Sequence, residues 1–135
     1  MEFQVRLLRE GDYENTLVKW WKDWKWAAPS KDFLPEDGIG GLMVSKGDND
    51  ICAGFIYFTN SKAAWCEFVI SNKEYKEKDR GDAIKVLLES LSAISKERGV
   101  KYVYSSLKSN SLIEKYKECG YIQGDTGCTE LIKIL

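Results

Sequence analysis

Between Phe68 and Leu88 the chain passes from a short apolar run, Phe68-Val69-Ile70, through a charged turn with one glycine, Gly81, directly into an amphipathic helix pattern. A second β-branched run, Val100 to Ser105, follows that helix. Strand, long helix and strand in immediate succession make a crossover. If both strands share a sheet they are parallel, and the connection is right-handed. The sheet is therefore at least locally parallel, with a helix packed on one face. The same stretch leaves free backbone N–H groups at a helix N-terminus beside a strand end, an arrangement that receives anions such as pyrophosphate.

The flanking sequence supplies the remaining elements. Phe3, Val5 and Leu7 alternate with polar residues and read as a first strand, broken at Gly11-Asp12. Tyr13, Leu17, Trp20 and Trp24 recur at helical spacing, with Val18 and Trp21 alongside, and Ala27-Ala28-Pro29-Ser30 ends that helix. Three strand-like runs follow, 41–45, 51–59 and 63–70, separated by the turn signals 47–50 and 59–61. Such short loops imply an antiparallel meander. Ala83, Val86, Leu87, Leu91 and Ile94 mark the long helix, 111–119 a short one, and 121–135 a terminal hairpin or paired strands around Gly124 to Gly127. The expectation is one α+β domain over 1–135, layered α/β/α. Its mixed, mostly antiparallel sheet has six to seven strands, a central parallel pair, and helices on both faces.

Charge and composition narrow the chemistry. Lys and Arg number 20 against 21 Asp and Glu, a formal charge of −1, so a broad nucleic-acid groove is disfavoured. No apolar run is long enough to span a bilayer, Met1 leads into Glu2 rather than a signal sequence, and the expected location is the cytoplasm. The sequence has no histidine, which removes Ser/His/Asp and Cys/His catalysis. The four cysteines, at 52, 66, 119 and 128, show no CxxC spacing, and no metal site is expected. Cys52 and Cys66 fall on candidate neighbouring strands, with free thiols expected in a reducing compartment.

This order of elements resembles the GNAT superfamily of acetyl-CoA-dependent N-acetyltransferases, over essentially the whole chain. In that family a central strand leads into a loop of the form Arg/Gln-x-x-Gly-x-Gly/Ala that opens the long helix. Here Phe68-Val69-Ile70 takes the strand role, and Lys78-Asp79-Arg80-Gly81-Asp82-Ala83 the loop role, with lysine in first position. The family also often shows a tyrosine four residues before Gly-Phe or Gly-Tyr, a spacing met by Tyr116, Gly120 and Tyr121. Two positions depart from the pattern. Asp82 sits between Gly81 and Ala83, where a carboxylate is compatible with a helix N-terminus if it points outward. Ser109, with Asn110 beside it, stands where the family often has asparagine.

The resemblance implies acetyl-CoA as cosubstrate, an amine acceptor and no metal. The N–H groups from Lys78 to Ala83 would receive the diphosphate, with Gly81 allowing close approach and Lys76, Lys78 and Arg80 adding charge. Pantetheine would pair with the strand edge through Phe68 and Ile70, and Ser109 or Asn110 would add a contact. Tyr116 would be the general acid for the departing thiolate, and Glu67 the candidate base for the incoming ammonium. Glu67 is expected on the face of Trp65 and Val69, opposite Phe68 and Ile70.

Four of the five tryptophans, Trp20, Trp21, Trp24 and Trp26, fall in one short segment. Trp20 and Trp24 share the Tyr13–Leu17 stripe and read as core. Trp21 and Trp26 cannot both join it, which leaves them for an acceptor wall, a cation or a homodimer contact. The acidic loop with Asp32, Glu36 and Asp37 would suit a cationic acceptor. A second reading keeps the fold without catalysis, as a coenzyme A-binding or protein-interaction module that uses the tryptophan surface.

Overall fold

The computed structural model describes residues 2–135. Strand β1 (Gln4–Leu7) leads into a π-helical turn (Tyr13–Leu17) that continues as α1 (Val18–Asp23). Two short 3-10 turns, Lys31–Phe33 and Pro35–Gly38, precede the meander β2 (Gly41–Lys46), β3 (Asn49–Phe58) and β4 (Ala63–Ser71). Helix α2 (Arg80–Glu97), strand β5 (Tyr102–Tyr104) and helix α3 (Asn110–Glu118) complete the order. The sheet runs β1-β2-β3-β4-β5, antiparallel through β4, with β5 parallel to β4. The crossover through α2 is thus the one expected from the strand–helix–strand pattern.

Alternation along the strands sends side chains to two cores. Leu42, Val44, Cys52, Ile56, Ala64 and Cys66 meet Ala83, Leu87, Leu88 and Leu91 of α2 on one face. Met43, Ala53, Phe55 and Ile70 meet Leu17, Trp20 and Trp21 on the other. Gly54 permits the first contact: a Cβ there would stand 3.0 Å from Val69 Cγ2 and 3.3 Å from Leu87 Cδ2. A larger residue would push α2 off the sheet.

Three expectations change. Among the described residues the sheet has five strands, and the parallel pair lies at its edge, because 121–135 forms no strand. Strand β5 offers only three residues to pair with, and the terminal apolar residues come as adjacent couples, Leu131-Ile132 and Ile134-Leu135. A pleated strand would turn one of each couple into water. The first helix also departs from a simple 3.6-residue stripe. The π-turn inserts an extra residue per turn, so Trp20 and Trp21 both point inward, at 3% and 2% exposure, while Trp24 is only half-buried. Trp21 is therefore a core residue, packed near Tyr13 with ring centroids 6.3 Å apart, and does not line an acceptor wall. Cys52 and Cys66 are free thiols on adjacent strands, with Cys52 opposite Ser71 and Cys66 opposite Ile56.

Candidate active site

Strands β4 and β5 begin together and part. Their ladder has three pairs, ending at Trp65–Tyr104. Where it ends, the Ser105 hydroxyl donates to Cys66 C=O at 2.6 Å, and the Ser106 N–H donates to the Glu67 carboxylate at 2.8 Å. Beyond that point one edge of β4 carries no strand. On its other edge a bulge intervenes: Glu67 opposes Phe55 and Ile70 opposes Ala53, so Phe68 and Val69 together face Gly54. Phe68 takes φ +57, the left-handed region that a bulky residue rarely adopts.

The bulge decides which backbone groups are available. Asn72 N–H bonds Ile51 C=O at 2.7 Å, which makes Cys52–Ser71 a non-hydrogen-bonded pair and turns the N–H and C=O of Ser71 to the free edge. By alternation Val69 does the same, and Ile70 turns toward β3. The edge pairing expected of Phe68 and Ile70 thus passes to Val69 and Ser71. The extra residue also brings Glu67 onto the face of Phe68 and Ile70, rather than that of Val69.

This free edge opens into a cleft of about 380 Å³. Val69 and Ser71 form its floor, and Arg80, Gly81 and Ile84 at the start of α2 form one side. Ser109, Leu112 and Lys115 of the α3 region form the other, and Trp24 and Trp26 close it over. Lys115 extends across the first turn of α2: its Nζ is 2.9 Å from where a Cβ on Gly81 would stand. A helix N-terminus carrying free N–H groups, with Lys78, Arg80 and Lys115 at its rim, is suited to a phosphate or diphosphate.

Two titratable groups flank the parting of β4 and β5. Glu67 is pushed up to about 7, chiefly by burial, with the Ser106 N–H pulling the other way and Glu130 adding to the rise. Its charge helps burial raise Tyr57 to about 12, and Tyr57, Phe33 and Phe68 pack around this spot, with Phe33–Phe68 centroids at 5.8 Å and Tyr57–Phe68 at 6.4 Å. On the other side Tyr116, 4% exposed, places its hydroxyl 3.5 Å from Cys66 Sγ and its ring 4.8 Å from Tyr121. Burial holds that phenol well above its ordinary value, so it stays protonated.

No protein-family model matches the sequence. No curated protein matches it either. Among solved structures it resembles glucosamine-6-phosphate N-acetyltransferase from Arabidopsis thaliana with a TM-score of 0.68 and 14% identity, over 98% of this chain and 100% of that one. It resembles the ribosomal-protein-S18-alanine N-acetyltransferase from Escherichia coli with a TM-score of 0.68 and 14% identity, over 92% of this chain and 80% of that one. A third likeness is to N-acetylglutamate synthase from Neisseria gonorrhoeae, solved with coenzyme A and L-arginine. There the TM-score is 0.72 and the identity 12%, over 91% of this chain and 28% of that one. The chain has the GNAT fold.

Within the GNAT fold, the residues singled out in the sequence separate into groups. Val69, Lys78, Arg80, Gly81, Ser109 and Trp26 line the cleft. Ala83 lies just behind it in the core, and Tyr116 beneath it. Asp79 is engaged elsewhere, accepting from Lys46 Nζ at 2.6 Å and Tyr75 Oη at 2.8 Å, which holds its carboxyl below the usual range. Asp82 is exposed, 3.9 Å from Lys85, and does not line the cleft. Lys76 and Asn110 are exposed outside the lining. Asp32, bonded to Ser30 Oγ at 2.9 Å, and Glu36 are exposed in the 3-10 turns, away from the cleft. The sequence reading missed Ser71, Trp24 and Lys115. Lys115 was findable as the helical neighbour of Leu112 and Tyr116, whereas Ser71 and Trp24 depend on the bulge and the π-turn.

Proposed function

We propose that this protein transfers an acetyl group from acetyl-CoA to a primary amine. The observation that supports this most is the unpaired edge of β4 running to the N-terminus of α2: one end offers an amide-pairing edge, the other an anion seat. Coenzyme A has that sequence of groups, pantetheine amides followed by a diphosphate. In this reading Val69 and Ser71 orient the pantetheine arm, and the α2 N-terminus with Lys78, Arg80 and Lys115 holds the diphosphate. The thioester then lies near the bulge at Phe68, between Glu67 and Tyr116.

The acceptor approaches on the side of Phe33, Tyr57 and Phe68. Glu67, near 7, takes a proton from the ammonium, and the freed amine attacks the thioester carbonyl. A C–N bond forms, the C–S bond breaks, the Tyr116 hydroxyl gives its proton to the departing sulfur, and the second proton lost by the nitrogen as it becomes an amide restores Tyr116. Tyr116 lies at the foot of the gap between the strands and keeps its proton at neutral pH. No metal or covalent enzyme intermediate is needed.

Calorimetric titration with acetyl-CoA and with desulfo-coenzyme A tests the reading. Micromolar binding is expected in the wild type and its loss in Gly81→Trp, whose indole would displace Lys115 from the first turn of α2. An absence of binding by the wild type would overturn it.

A further inference from the structure

One of the two outward carbonyls on the free edge of β4 is already taken. The Trp24 indole Nε1–H donates to Ser71 C=O at 2.8 Å, filling the position that an added strand's N–H would occupy. The ring is held there from several directions. It stacks on Trp26 with centroids 5.9 Å apart and planes 25° from parallel, and Lys73 Nζ and the Arg80 guanidinium carbon stand 5.2 and 5.5 Å from its centroid. Lys25, which joins the two indoles, has φ +61 and forms the left-handed cap of α1, with Lys25 N–H on Lys22 C=O and Trp26 N–H on Trp21 C=O, both at 2.9 Å. The backbone of both tryptophans is thus fixed at the capped end of α1, and the Trp24 indole leaves Ser71 by rotation of its side chain alone.

We infer that Trp24 sets the affinity of this groove by occupying, in the free protein, the Ser71 carbonyl that the pantetheine arm of coenzyme A requires. The inference rests on reading the cleft as the coenzyme A groove. An arm that adds to β4 as an extra strand needs an acceptor on that edge, and Ser71 C=O is the one nearest the α2 N-terminus. Binding replaces the indole N–H with a pantetheine amide N–H and releases the Trp24 ring to a second rotamer. The number of hydrogen bonds to Ser71 is conserved, so the indole lowers affinity without closing the site.

Indole ¹⁵N–H NMR spectra and calorimetry with coenzyme A, on the wild type and Trp24→Phe, test this. Five indole signals are expected in the wild type, and the one absent from the variant is that of Trp24. On saturation with coenzyme A this signal should move to a solvent-exchanging position. Trp24→Phe keeps an aromatic ring and removes only the donor, so it should bind coenzyme A about threefold to tenfold more tightly. Equal or weaker binding by the variant, or a Trp24 signal that stays fixed at saturation, would overturn the inference and leave the acetyltransferase reading standing. Binding by neither protein would remove both.

Discussion

At the residue scale, Glu67 is the carboxyl that its position brings into the neutral pH range. A carboxyl near 7 is half ionised at neutral pH, the condition under which a base both holds the right form and retains basicity. Its folded value lies above the ordinary carboxylate value of about 4.3. The folded state therefore binds the extra proton between those limits, and the stability it contributes is full below the unfolded value and lost as pH rises through 7. Glu67→Gln has no proton to lose. In urea unfolding, the wild type should lose stability relative to Glu67→Gln between pH 5 and pH 8. The kcat/KM profile of the variant should lack the rising limb near pH 7 and fall by about a hundredfold. A carboxyl NMR titration that placed Glu67 near its ordinary value would remove this assignment.

At the scale of elements, two local irregularities separate what the sequence revealed from what it concealed. The strand–turn–helix from Phe68 to Leu88 was legible because its periodicity changes from two to 3.6 at a charged turn, and Gly81, Arg80 and Lys78 followed from that place in the order. The bulge at Phe68 and the π-turn at Tyr13–Leu17 each add one residue to a regular repeat, and no residue type announces either. One residue shifts a strand by a full face, which moved the edge groups to Val69 and Ser71 and brought Glu67 beside Phe68. The terminal segment failed for a different reason: its composition suits a strand, but β5 is too short to pair with it. That segment should contribute little. Ile122, Leu131 and Ile134 are at least 90% exposed, and the pair Lys108–Glu130, 3.7 Å apart, is solvated on both sides. Truncation after Gln123 should change Tm by less than about 2 °C in a calorimetric scan. Truncation after Gly120 also removes the Tyr121 ring from Tyr116 and should cost about 2 kcal/mol. Equal effects from the two truncations would mean that the exposed residues are packed in solution.

At the scale of the whole molecule, the sheet divides two cores, and the proposed site lies where the sheet parts. Such an opening needs an anchor elsewhere. Asp12 supplies one between β1 and the helical layer that starts beside it. Its carboxylate accepts from both Arg6 Nη atoms, at 2.8 and 3.1 Å, and from Arg9 N–H at 2.8 Å, while Arg6 also lies 3.8 Å from Asp50 of β3. Burial pushes this carboxyl up, but the hydrogen bonds from Arg6 and the Arg9 amide outweigh it and hold the group below its ordinary value. The linkage is opposite in sign to that of Glu67: the stability is fully present above the unfolded value, near 4, and is lost as pH falls through the folded one. Asp12→Asn leaves the half-buried Arg6 guanidinium with Asp50, 3.8 Å away, as its remaining charge partner. At pH 7 it should lose about 2 kcal/mol, a drop in Tm of roughly 6–10 °C. The gap between wild type and variant should narrow as pH falls below about 4, because the unfolded wild type then takes up a proton that the folded carboxylate resists. Asp12 and Glu67 together place the two limbs of the stability profile on opposite sides of about pH 5, the acid limb flattened by Asp12→Asn and the neutral limb by Glu67→Gln. A Tm gap for Asp12→Asn that stayed constant from pH 7 to pH 3 would show that geometry alone, and not the carboxylate charge, joins β1 to the helical layer.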